Sequence, residues 1–187
     1  MSWRNTAQDW STPIKLLHWL LALAVIAMAV MGLVMKYGDF TPVERIRLYT
    51  LHKSVGLTIL VLALLRLLIR LLDRGRPLLP PMPRWQHLAA SFSHVALYVV
   101  LIGMPLTGWL YNSASGFPLQ WFGQFKVPAL VERSAELKAL AGGLHFAGLI
   151  VLVIVLLMHA GAALQHHFVN RDNVLRSMLP RSRRNRR

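Results

Sequence analysis

The sequence predicts an all-α membrane protein, a four-helix transmembrane bundle with both termini cytoplasmic. Three observations predict it. Hydrophobic residues make up 55% of the 187 residues and charged residues only 15%, well below the roughly one quarter found in soluble domains. The apolar residues fall in four blocks, each long enough to cross a bilayer as a helix. Lysine and arginine are shared unevenly between the loops that join those blocks, and this bias orients a bundle in its membrane.

The spans are expected at 14–35, 51–72, 88–111 and 144–164. The first is too long for the apolar part of a removable signal and has no small-residue cleavage site after it, so it is expected to remain. The second carries Arg66 and Arg70 near its far end, where long side chains reach the interface and need no special role. The third contains Pro105. Between the second and third, residues 73–85 hold four prolines and read as an extended connector. In the loop from Asn112 to Gly143, residues 129–141 suggest a short amphipathic interfacial helix. After the fourth block, HHFVNRDNVLRSMLP reads as an interfacial helix and RSRRNRR as a disordered basic tail. Residues 1–187 form one domain on this reading.

With four spans, both termini and the middle loop share a side. Of the 21 lysines and arginines, 14 lie there: Arg4, Lys15, Arg66, Arg70, Arg74, Arg76, Arg84, Arg171, Arg176, Arg181, Arg183, Arg184, Arg186 and Arg187. The other side has Lys36, Arg45, Arg47, Lys53, Lys126, Arg133 and Lys138. The excess places both termini in the cytoplasm. It also accounts for the formal charge of +14 as topology. A basic tail beside a membrane meets anionic lipid rather than nucleic acid. The absence of cysteine excludes disulfides, iron–sulfur clusters and covalently attached haem in this chain.

The chemistry lies in the eight histidines, at 18, 52, 87, 94, 145, 159, 166 and 167. Ionisable residues within spans are costly and mark function. Because the helices alternate in direction, His18 and His159 share the cytoplasmic depth, and His52 and His145 share the outer one. His145 and His159 are 14 residues apart on one helix, which turns them to within about 40° of each other and separates them axially by about 21 Å. A low-spin haem iron takes one imidazole on each face, and each must come from a different helix. The pairs His18 with His159 and His52 with His145 meet this demand, so two non-covalent haems are expected, with these four as axial ligands to iron. Gly56, Gly148 and Gly161 would let flat rings approach the helices. His94 also lies at the cytoplasmic depth and reads as a cofactor-binding residue that hydrogen-bonds or sits beside the propionates. His87 reads as solvated at the interface. His166 and His167 lie near the headgroups, where one of them could meet a quinone or both could form a polar interfacial pair. Trp85, Trp109 and Trp121 read as interfacial anchors.

Taken together, PIKLLHWLLALAVI, LHKSVG with LLRLLIR, HVALYVVLIGMPLTGW, and GGLHFAG followed by LMHAGAALQHHF and RDNVLRSMLP resemble the prokaryotic cytochrome b561 family, from Thr12 to Pro180. The resemblance implies a cytochrome of the bacterial inner membrane with two haem b groups, held by His18 and His159 on the cytoplasmic side and by His52 and His145 on the outer side. It implies ubiquinone as electron acceptor. The ALQHHF and RDN segments are similar to those of a relative that oxidises superoxide on the outer side, so superoxide is the expected donor and His166 the expected quinone contact. Lys53, beside His52, and Arg45 and Arg47 just before it would steer such an anion inward, or would serve solubility alone. Rival readings are a cytochrome b subunit relaying electrons from a dehydrogenase, hydrogenase or soluble cytochrome to quinone, and a scaffold or transporter without haem.

Overall fold

A computed structural model describes residues 5–6, 9–73 and 82–179. Arg4, Arg74, Arg76, most of the proline-rich connector and the basic tail at 181–187 lie outside the described residues. Four helices dominate: α1 (Thr12–Tyr37), α2 (Pro42–Leu72), α3 (Arg84–Ala114) and α4 (Ala135–Gln165). All four are long and apolar enough to cross a membrane.

Helices α2, α3 and α4 each have 31 residues, about 46 Å, so they extend past a hydrocarbon core of about 30 Å. Local chemistry explains the early starts. Thr41 caps α2 by accepting from the Glu44 amide, Glu44 reaches back to the Thr41 amide, and Pro42 occupies the first turn. This capping box begins the helix at Pro42 rather than at 51. Ser134 accepts from the Leu137 amide and starts α4 at Ala135. The short interfacial helix expected at 129–141 is therefore absent: residues 135–141 are the first turns of α4, and 129–134 are not helical.

The same connector holds an unforeseen antiparallel hairpin, β1 (Leu119–Trp121) with β2 (Phe125–Val127), in register Leu119 to Val127. Its tip puts Phe122 and Gly123 at φ 48° and 72°, a conformation natural for glycine and strained for phenylalanine. Tertiary bonds hold it. The Phe122 amide donates to Ser54 Oγ at 2.9 Å, and Trp121 Nε1 donates to Thr58 Oγ1 at 3.0 Å. The hairpin is thus docked on α2 within two turns of His52.

Segment 166–179 is also not the helix expected. It is one π turn, His166–Asn170, then Arg171 in the left-handed region and a 3-10 turn at Arg176–Met178. It folds back onto α1, where Trp19 Nε1 donates to the Met178 carbonyl at 2.8 Å and Lys15 Nζ to the Leu179 carbonyl at 3.1 Å. The described start of the chain sits at this end too, since the Asn5 amide donates to Asp73. Two ends are thereby defined, a terminal end and a hairpin end.

Packing is sequential: α1 lies on α2, α2 on α3, and α3 most extensively on α4. Gly148 makes the last contact possible, because a Cβ there would lie 2.9 Å from Met104 Cγ. Its smallness serves helix packing. The buried core at mid-height joins Leu21, Val25, Ile59, Ala63, Val100 and Leu152. Outward residues such as Leu23, Val61, Val99 and Leu157 are more than half exposed, as a lipid-facing surface requires.

Candidate functional site: two imidazole pairs between the helices

Four histidines meet in two pairs. At the terminal end, His18 of α1 faces His159 of α4 with ring centroids 6.2 Å apart and planes at 65°. At the hairpin end, His52 of α2 faces His145 of α4 at 6.1 Å and 70°. Leu152, seven residues from each α4 histidine, sits in the core between them, about 10 Å along the axis from either. An apolar layer therefore separates the pairs. Helix α4 packs closely on α3 but not extensively on α1 or α2, so each pair spans helices that stand apart.

The spacing fits a shared metal. Two imidazoles bound to one iron at about 2 Å each place their centroids about 6.3 Å apart. Both pairs meet that value, whereas a direct imidazole hydrogen bond needs only a nitrogen–nitrogen approach of about 3 Å. Small residues stand beside the hairpin-end pair. A Cβ on Gly108 would lie 3.3 Å from His145 Cε1, and one on Gly32 would lie 3.7 Å from His52 Cε1. The sequence reading did not single out either glycine. Gly161 has open space beside it.

The hydrogen bonds fix tautomers. His145 Nδ1 is 3.0 Å from the Met104 carbonyl, which can only accept, so Nδ1 carries the proton and the Nε2 lone pair is left for a metal. Thr107 Oγ1 donates to the same carbonyl. His52 Nδ1 is buried without a partner among the described residues.

His94 of α3 joins the terminal-end pair, its ring 5.4 Å from His159. That is too close for the two to share one iron across its faces. Arg66 does not snorkel as its sequence position suggests. Its Nη1 donates to the Tyr98 hydroxyl, and its Nη2 lies 3.5 Å from His18 Nδ1. His166 is drawn into a tight pair with Asp172 through Nδ1, with Asn170 Nδ2 at 3.3 Å from the same nitrogen. Asp172 was not anticipated, although the run HHFVNRD brings it six residues from His166. At the hairpin end Lys53 Nζ donates to Asn112 Oδ1 at 3.1 Å. Arg45 and Arg47 make no ion pair among the described residues.

Four apolar spans with paired imidazoles at two depths define a multi-pass membrane protein of the cytochrome kind. Residues 9–181 match the family model described as prokaryotic cytochrome b561. The chain is 33% identical over 182 residues to cytochrome b561 homolog 2 of Escherichia coli (strain K12), covering 97% of both chains. It is 35% identical over 130 residues to cytochrome b561 homolog 1 of the same organism, covering 70% of this chain and 73% of that one. It is 32% identical over 134 residues to a protein named "Probable superoxide oxidase CybB" of Yersinia pestis, covering 71% and 75%. The chain belongs to the prokaryotic cytochrome b561 family. It is a membrane electron-transfer protein, and membership implies haem b binding.

Proposed function

We propose that the chain is a single di-haem b bundle that oxidises superoxide, or another one-electron donor, at the periplasmic face of the bacterial inner membrane and reduces ubiquinone. The observation that carries this reading is the pair of centroid separations, 6.1 and 6.2 Å, at two depths. His52 and His145 would hold one haem iron, and His18 and His159 the other. Bound haem supplies reversible one-electron chemistry at each site. The protein's residues hold and orient the imidazoles, and the Leu152 layer keeps water from the space between the pairs. Over a full cycle two superoxide ions become two dioxygen molecules, and ubiquinone takes up two electrons and two protons. The name of the Yersinia relative supports superoxide as donor. His166 is assigned to the quinone, with its ring held in place by Asp172.

Purified protein given a steady superoxide flux and a soluble ubiquinone is expected to form one quinol per two superoxide ions consumed. Red protein that is inert to superoxide but reduced by a co-purifying partner would replace this reading with the relay subunit. Colourless protein from haem-replete cells would end it. Arg45 is assigned to anion steering, with Lys53 held beside His52 by Asn112. Arg45→Glu is expected to slow superoxide oxidation about tenfold at low ionic strength, with the difference vanishing as salt screens it. Rates that ignore both charge and salt would remove steering.

Both chain ends are assigned to the cytoplasm from the lysine and arginine bias. A C-terminal alkaline phosphatase fusion is expected to be inactive, and one inserted at residue 123 of the hairpin active. The opposite pattern would invert the bundle.

A further inference from the structure

The terminal end holds two guanidiniums close together, those of Arg66 and Arg70. Arg66 and Arg70 lie one turn apart on α2, and like charges at that spacing repel. Both lean on Tyr98, with Cζ at 5.6 and 5.9 Å from its ring centre, and Arg70 also lies 5.8 Å from the ring centre of Trp10. Among the described residues neither has a carboxylate partner. Arg66 Nε is buried without an acceptor among the described residues. A buried guanidinium within a span demands an anion.

The contact with His18 does not meet that demand. At 3.5 Å it is at the limit of a hydrogen bond. If His18 gives its Nε2 lone pair to iron, as the proposed function requires, its Nδ1 keeps a proton. Two donors then face each other, and Arg66 needs a different acceptor. Arginine's planar fork matches a carboxylate with two parallel bonds.

We infer that Arg66, supported by Arg70, is the carboxylate anchor of the terminal-end site and binds the propionates of the haem held there. The inference rests on the di-haem reading. Arg66 is a binding residue here, Arg70 a second positive charge, and Tyr98 the group that aims Arg66.

The test uses the full chain purified in detergent, with the hairpin-end haem as an internal control of folding. Haem count, the propionate bending bands in resonance Raman spectra, release of haem to excess apomyoglobin and potentiometric titration are compared for wild type, Arg66→Gln, Arg66→Lys and Arg70→Gln. Arg66→Gln is expected to shift the propionate bands and to release the terminal-end haem about tenfold faster. It should lower that haem's midpoint so that its reduced-to-oxidised ratio falls about tenfold, 59 mV for one electron. Arg66→Lys should restore most of the potential but not the bands, because one ammonium cannot make the paired bonds. Arg70→Gln should lower the potential by less. Unmoved bands with unchanged release in haem-loaded Arg66→Gln overturn the anchor and leave the haem reading intact. If Arg66→Gln loses both haems, the bands of Arg66→Lys decide. A wild type without haem overturns the di-haem reading itself, a result distinct from every other.

Discussion

Replacing His52 with alanine is expected to remove one of two haems and leave the other in place, and His159→Ala is expected to do the same for the opposite site. Each pair draws its rings from two helices, with centroids 6.1 or 6.2 Å apart, so on the proposed ligation deleting one ring would leave an iron bound there with a ligand on one face only. The apolar layer around Leu152 separates the sites, and the loss should not spread. Pyridine haemochrome analysis should fall from two haems per chain to one, with different bands lost from the reduced-minus-oxidised spectrum in the two variants. His94→Ala should keep both haems, since its 5.4 Å approach to His159 is about 0.9 Å shorter than two imidazoles sharing an iron demand. Loss of a haem in His94→Ala with none in His18→Ala would exchange the ligands at the terminal end.

Gly108→Val should empty the hairpin-end site without touching the other. A Cβ alone would stand 3.3 Å from His145 Cε1 and 3.5 Å from its Nδ1. Two further methyls force the ring aside. The ring cannot yield freely, because Nδ1 is bonded to the Met104 carbonyl. Overpacking of this kind costs about 1–3 kcal/mol, which is about five- to 150-fold in haem affinity at that site. Gly32→Ala is the contrast. Its new Cβ would meet His52 Cε1 at 3.7 Å, an ordinary contact, and both haems should remain. The check is haem content after gel filtration. Full occupancy in Gly108→Val would show that His145 has room to move.

The four spans and the depth of each histidine were legible because they depend on local properties. Apolar length decides whether a segment enters a bilayer, and the alternation of antiparallel helices then sets the height of His18, His52, His145 and His159. Their meeting in pairs followed from the same count, since 14 residues of one continuous α4 return nearly to the same face. Boundaries were less legible. The polar turns at 42–50 and 135–143 belong to helices through the caps at Thr41 and Ser134, and hydropathy does not register a cap.

Other features could not be read along the chain, because their causes lie far away in it. Phe122 takes a positive φ through a bond to Ser54, 68 residues earlier. Segment 166–179 abandons a regular helix where Asp172 turns back to His166 and the Met178 carbonyl meets Trp19, 159 residues away. Gly148 lets α3 and α4 approach because Met104 lies opposite it. Arg66 turns inward because Tyr98 offers a hydroxyl from α3. The sequence by itself determined a membrane bundle with imidazoles at two depths, since hydropathy and helical period act residue by residue. Only the tertiary structure decided which carbonyl fixes the His145 tautomer, where the connector folds and which way the buried guanidinium points. Each of those choices is made by a partner on another helix, and periodicity carries no information about it.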